Sequence, residues 1–138
     1  LANGALLHDI GKRDVEATIL SKKDTLSLSE WESVKQHPLE GYDLLQRSDT
    51  VGEIALDIVL RHHERLNGTG YPDAIEGRDI SPFVRIVSIA DVFDALTTDR
   101  HHQKAMTTFE AFQVMQREMR EELDMRLFRH FVELMRGK

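Results

Sequence analysis

With 138 residues and 41% apolar content, the chain is long enough for one buried core and too short for two independent domains, so a single domain over 1–138 is expected. A formal charge of −6 argues against DNA or RNA binding through clustered cations. No uncharged apolar run reaches the roughly 18 residues of a membrane span, and zero cysteines exclude disulfides and thiolate metal sites.

Few segments alternate apolar and polar residues, whereas several repeat apolar positions at three and four, which predicts an all-α chain. Residues 1 to 9 read as the end of a helix, and a loop broken first at Gly11 runs through Lys23. The dense stretch Leu6-Leu7-His8-Asp9-Ile10-Gly11-Lys12 comes within the first dozen residues of a chain that opens at Leu1. The expectation is a domain lacking its N-terminal helix or helices.

Ser29-Glu30-Trp31-Glu32 has the form of a capping box and predicts a short helix ending near His37-Pro38. Another helix follows Pro38 to about Arg47, and residues 51 to 64 predict a helix with Ile54, Ile58 and Val51 inward, ending in His62-His63-Glu64. Asn67-Gly68-Thr69-Gly70-Tyr71-Pro72-Asp73 is the strongest turn signal in the chain. Pro82 suits the first turn of a helix to about Thr97. Thr107 and Glu110 form a second capping box opening a helix to about Arg120, and Asp124 caps a last helix carrying Phe128, Phe131, Val132 and Met135.

Without cysteine, a metal must be bound by imidazole and carboxylate. His8, beside Asp9, His37, before a helix-starting proline, and the pair His62-His63 stand in contexts that a metal site explains. Taken singly, each is more often a solvated or core histidine than a ligand. Asp91 adds weight, because it lies in Ile86-Val87-Ser88-Ile89-Ala90-Asp91-Val92-Phe93-Asp94-Ala95-Leu96, a helix apolar on nearly every face and expected at the centre of the core. A buried carboxylate needs a cation or several donors; the bland alternative is that Asp91 or Asp94 caps a helix or pairs with Arg85.

Consecutive helical side chains diverge, so His8-Asp9 and His62-His63 converge on one metal only near helix ends, or address a metal pair. A carboxylate can bridge two ions where imidazole cannot, which makes Asp9 the natural bridge. Two ions about 3.5 to 4 Å apart would activate a hydroxide between them and clamp a phosphate for in-line displacement. Such ions would also reverse the acidic field locally, leaving room for a phosphorylated ligand.

His8-Asp9-Ile10-Gly11-Lys12, His37-Pro38, His62-His63-Glu64, Gly70-Tyr71-Pro72 and Asp91-Val92-Phe93-Asp94-Ala95-Leu96-Thr97 together resemble the HD-GYP subgroup of HD-domain phosphohydrolases. The resemblance covers nearly the whole chain. It implies a compact helical HD-domain bundle with a Gly-rich loop, holding two or three divalent metal ions, usually iron or manganese. It also implies a cytoplasmic phosphodiesterase of bacterial signal transduction, hydrolysing cyclic di-GMP to linear pGpG or on to GMP.

Carried over by position, His8, Asp9, His37, His62, His63 and Asp91 resemble metal ligands, with Asp9 bridging. Lys12 and Arg100 resemble phosphate-binding groups, a point charge and a planar fork that suit phosphate oxygens, although either could be a solvated surface cation. Asp9 and Lys12 are thus the expected catalytic residues. Gly70, Tyr71 and Pro72 correspond to the family's signature loop, which either builds the turn alone or meets substrate or a partner such as a GGDEF cyclase domain.

The sequence departs from the family pattern at two places. Gln103 replaces the second cation of an Arg-Pro-Tyr-Arg/Lys segment, here Arg100-His101-His102-Gln103, and Asn67 replaces an Asp after His-His-Glu. A further histidine, and in trinuclear members a glutamate, normally stand upstream of the His-Asp pair, where a regulatory domain is also expected. Two other readings follow: a weak or inactive module that senses a nucleotide or docks a signalling partner, and an HD phosphohydrolase with another nucleotide substrate.

Overall fold

The computed structural model describes residues 1–48, 50–99 and 104–137. Its elements in chain order are α1 (Ala2–Leu7), a 3-10 turn (Ile10–Asp14), α2 (Ala17–Leu20), α3 (Leu28–Lys35), α4 (His37–Gln46) and α5 (Glu53–Arg61). A second 3-10 turn (Gly77–Asp79) precedes α6 (Pro82–Thr97), α7 (Thr108–Arg117) and α8 (Met125–Met135). Among the described residues no strand forms, and Asn67 and Glu76 make only an isolated antiparallel bridge. No helix among them is long and apolar enough to cross a membrane.

Helix starts follow side-chain caps. Ser81 Oγ accepts the Val84 N–H with Pro82 in the first turn of α6, Thr107 and Glu110 close a capping box on α7, and Asp124 accepts the N–H groups of Arg126 and Leu127 at α8. The box on α3 is not the one expected at Ser29. Ser27 pairs with Glu30 instead, because Glu30, already held by Lys22 at 2.7 Å, can also accept the Ser27 N–H at 2.6 Å.

Three further expectations are corrected. The segment 10–23 is not a plain loop, since Ile10–Asp14 and Ala17–Leu20 are helical turns; Gly11, seated on α4, fixes the first of them. Ile54 points outward at 46% exposure, because α5 starts at Glu53 and its buried stripe is Ala55, Ile58 and Val59. Nor is α6 buried all round: Phe83 and Ile86 are 40% and 39% exposed, while Val84, Val87, Ile89 and Val92 face inward.

The core forms around α5 and α6. Ile58, Ile80, Val84 and Val87 make one apolar cluster, and Ile89, Val92, Met115, Leu123 and Phe128 make another where α7 and α8 pack on the C-terminal half of α6. α1 packs on α5, and α4 packs on both α5 and the first 3-10 turn. The end of α1, the start of α4, the end of α5 and the middle of α6 therefore meet at one place.

Candidate metal centre

Those four places carry the histidines and acids singled out from sequence. His8 and Asp9 follow α1, His37 opens α4, His62 and His63 leave the end of α5, and Asp91 lies mid-α6. Asp9, His37, His62 and His63 each offer a ligand atom within 4.8 Å of the others. His8 Nε2 approaches Asp9 Oδ2 at 3.5 Å and Asp91 Oδ1 at 3.7 Å, while His63 Nδ1 lies 3.8 Å from Asp91 Oδ2. The two Asp9 oxygens thus face different groups: Oδ1 meets His37 and His62 at 3.3 and 3.8 Å, and Oδ2 meets His8.

Hydrogen bonds decide which ring nitrogens are free. His8 Nδ1 lies 2.7 Å from the Ala5 carbonyl, His37 Nδ1 lies 2.7 Å from that of Val34, and His62 Nδ1 lies 3.0 Å from that of Val59. A carbonyl can only accept, so each neutral ring donates Nδ1–H outward and turns a bare Nε2 lone pair inward. The Nε2 atoms of His37 and His62 then face each other at 3.3 Å with no proton between them. Asp9 Oδ1 is buried beside them without a hydrogen-bond partner. Converging lone pairs and an orphaned carboxylate oxygen fit a divalent cation, and outward Nδ1–H bonds to carbonyls are the usual support of metal-binding imidazoles.

Charge follows the same division. Burial pushes His62 down to about 4, assisted by the charge of His8, and burial also lowers His63, so both rings are neutral at pH 7. The Asp91 carboxylate facing it raises His8 against the effect of its partial burial. Burial opposes the charge on Asp9 and Asp91, yet the neighbouring His37 and Lys12 hold Asp9 well below the usual carboxylate range, and His8 and His63 lower Asp91. Lys12 Nζ donates to Asp9 Oδ2 at 2.6 Å, which places this expected phosphate-binding cation at the edge of the centre. Arg100 lies outside the described residues, as do His101, His102 and Gln103. Arg85 takes neither Asp91 nor Asp94 as partner; it pairs with Asp124 at 3.1 Å.

Gly70, Tyr71 and Pro72 lie against the cluster. The Tyr71 ring stacks on His63 with centroids 4.7 Å apart, after which a cis bond leads to Pro72. A Cβ on Gly70 would stand 2.5 Å from Glu64 Cα and from the Arg65 nitrogen, so only glycine lets the loop close this tightly. A Cβ on Gly11 would run into the His37 carbonyl oxygen and stand 2.6 Å from the Gly41 nitrogen. The glycine after His-Asp-Ile therefore lets the first 3-10 turn touch α4 and brings Asp9 to His37.

Two supporting residues received no role from sequence. Glu64 is 2% exposed; its Oε1 accepts the N–H groups of Asp73 and Ala74 at 2.7 and 3.1 Å, and its Oε2 accepts that of Ile75 at 3.2 Å. It fastens the Gly-Tyr-Pro loop. Ser88 donates to the His62 carbonyl from α6. Sequence alone offers no sign that separates a carboxyl group serving backbone N–H donors from one serving a cation.

The chain matches the HD domain family over residues 1–127. It is 39% identical over 127 residues to the cyclic di-GMP phosphodiesterase PA4108 of Pseudomonas aeruginosa, covering 92% of this chain and 30% of that protein. It is 37% identical over 128 residues to the 3'3'-cGAMP-specific phosphodiesterase 3 of Vibrio cholerae, covering 93% and 28%. It is 43% identical over 104 residues to the cyclic di-GMP phosphodiesterase response regulator RpfG of Xanthomonas campestris pv. campestris, covering 75% and 28%. The chain thus spans less than a third of the length of these relatives. Among solved structures, Bd1817, a HDG"Y"P protein from Bdellovibrio bacteriovorus, superposes with a TM-score of 0.79 at 26% identity over 97% of this chain and 42% of that one. The motifs, the helical fold and these likenesses agree: the chain belongs to the HD-domain family, in its HD-GYP group.

Proposed function

We propose that this chain carries the reaction centre of a metal-dependent phosphodiesterase acting on cyclic dinucleotides, with cyclic di-GMP as the first substrate and pGpG or GMP as product. The observation that carries this reading is Asp9, whose Oδ1 faces His37 and His62 without a hydrogen-bond partner while its Oδ2 faces His8. His37, His62 and His63 would hold one ion with Asp9, and His8 and Asp91 would hold a second with its other oxygen. The all-nitrogen-and-oxygen donor set suits iron or manganese. Bound ions supply Lewis acidity and a nucleophile at neutral pH.

The chain's own groups orient the phosphodiester. Lys12, with donors to spare beyond its bond to Asp9, offers N–H groups to the phosphate oxygens as negative charge grows on them. Arg100 is assigned the bidentate grip on the same phosphate. Tyr71, whose phenol burial pushes upward and keeps neutral, covers one face of His63 and sheds water from it. Docking of a signalling partner such as a GGDEF protein, and a cytoplasmic location, belong to the same reading.

The test is to load the protein with iron or manganese, supply cyclic di-GMP and, separately, 3',3'-cGAMP, and resolve products by chromatography. Linear dinucleotide or mononucleotide should appear with at least one of them and vanish with chelator. Saturable nucleotide binding without product, in folded and metal-loaded protein, would replace catalysis with sensing.

A further inference from the structure

We propose that Trp31 is the base-stacking residue of this site, its indole taking one nucleobase of the cyclic dinucleotide while the phosphodiester lies at Asp9 and Lys12. The proposal rests on the cyclic dinucleotide reading above. Trp31 is the only tryptophan in the chain. It stands on α3, an eight-residue helix with no buried residue, and it is itself 44% exposed, so the largest side chain of the protein adds little to either apolar cluster. Nor does α3 depend on it to form, since the Ser27–Glu30 capping box and the Lys22–Glu30 ion pair at 2.7 Å fix its first turn.

What Trp31 does touch is the Gly-Tyr-Pro loop beside the centre. Its indole meets Tyr71 edge-on, centroids 6.4 Å apart at 80°, and Tyr71 lies flat on His63 at 4.7 Å and 28°. The indole is therefore two ring contacts from a metal-binding imidazole. In a nucleotide the base stands one ribose away from its phosphate, so a phosphate at the metals presents its base at about this remove. Tyr71 has already given one face to His63, and the indole beside it, 44% exposed, offers aromatic surface to an incoming base. Stacking is worth about 1–3 kcal/mol per base and tolerates any base, because each has a π-face. Trp31 should then strengthen binding of guanine- and adenine-bearing substrates alike without choosing between them.

A single tryptophan makes this directly readable. On rapid mixing of metal-loaded protein with cyclic di-GMP, Trp31 emission should be quenched saturably before turnover, whereas ribose 5-phosphate, which lacks a base, should leave it unchanged. Trp31→Ala should raise KM for cyclic di-GMP and 3',3'-cGAMP by about 5- to 150-fold, far more than it lowers kcat, and Trp31→Phe should recover much of the loss. Emission unmoved at concentrations that saturate turnover, or variants that lower kcat with KM intact, would overturn the proposal. A protein to which cyclic di-GMP does not bind at all by calorimetry would remove the underlying function and this inference with it, a result distinct from turnover with a silent Trp31.

Discussion

Asp9 and the buried imidazoles make opposite demands on protons. The unfolded chain protonates histidine near pH 6.5, but burial pushes His62 down to about 4 and lowers His63 as well. Between pH 6.5 and about 4 the unfolded state therefore binds protons that the folded state refuses, and stability falls as pH falls. Each such imidazole costs about 1.4 kcal/mol per pH unit across the window. His8, whose pKa is raised, adds stability that is fully present below 6.5 and lost only as pH rises through its folded value; the lowered Asp9 and Asp91 act below about pH 4. Chelator-treated protein should lose several degrees of melting temperature per pH unit from 6.5 to 4.5, and a flat profile would contradict neutral buried histidines. Asp9→Asn, which keeps the shape and removes the charge, should lower the divalent metal content found by elemental analysis and cut turnover about 100-fold or more. The gathering of His8, Asp9, His37, His62, His63 and Asp91 was expected from the conjunction of motifs and the family they resemble, since no one of these histidines or acids taken singly signals where its partners lie. Trp31 was not legible, since nothing in a short polar helix signals which ring its indole meets.

At the scale of elements, the Gly-Tyr-Pro loop is positioned by Glu64 rather than by its own turn residues alone. Glutamine there would keep one carbonyl oxygen for Asp73 and Ala74 but turn its NH2 toward the Ile75 N–H, donor against donor. Glu64→Gln should therefore cost about 1–3 kcal/mol in urea unfolding and lower turnover as Tyr71 leaves His63. Unchanged stability would show that the loop holds itself. Gly11→Ala tests the other contact: with backbone rather than a flexible side chain in the way of its Cβ, the first 3-10 turn must move off α4, at a cost of roughly 1–3 kcal/mol and with loss of metal binding. Retained metal content would contradict this. Element starts at Pro82, Thr107 and Asp124 were legible because a capping side chain and its first-turn partner are local in sequence. The start of α3 was misplaced by two residues, since Ser27-x-x-Glu30 and Ser29-x-x-Glu32 fit the same pattern and only the Lys22 contact, from outside the helix, favours the first. The outward turn of Ile54 likewise depends on where α5 begins, not on its own residue type.

At the scale of the molecule, α6 joins what would otherwise be two separate cores. Val84 and Val87 belong to the cluster with Ile58 and Ile80, whereas Ile89 and Val92 belong to the cluster with Met115, Leu123 and Phe128. Asp91 lies on the same helix between residues of the second set, so the C-terminal pair α7 and α8 braces the helix that carries it. Polar links run the same way. Arg85, on α6, donates Nε to the Ile80 carbonyl and Nη2 to that of Gly77, both at 2.9 Å, and Nη1 to the α8 cap Asp124; the Leu66 N–H donates to the Glu122 carbonyl at 2.9 Å. A rigid helix shared by both clusters cannot unfold in one and persist in the other, and chains below about 150 residues usually unfold in one step. Phe128→Ala, about 3–5 kcal/mol from a side chain 4% exposed, should therefore lower the melting of α-helix and the release of metal together, in a single transition. If circular dichroism fell in two steps, with metal retained through the first, α7 and α8 would be a separate unit docked on an independently stable metal-binding half.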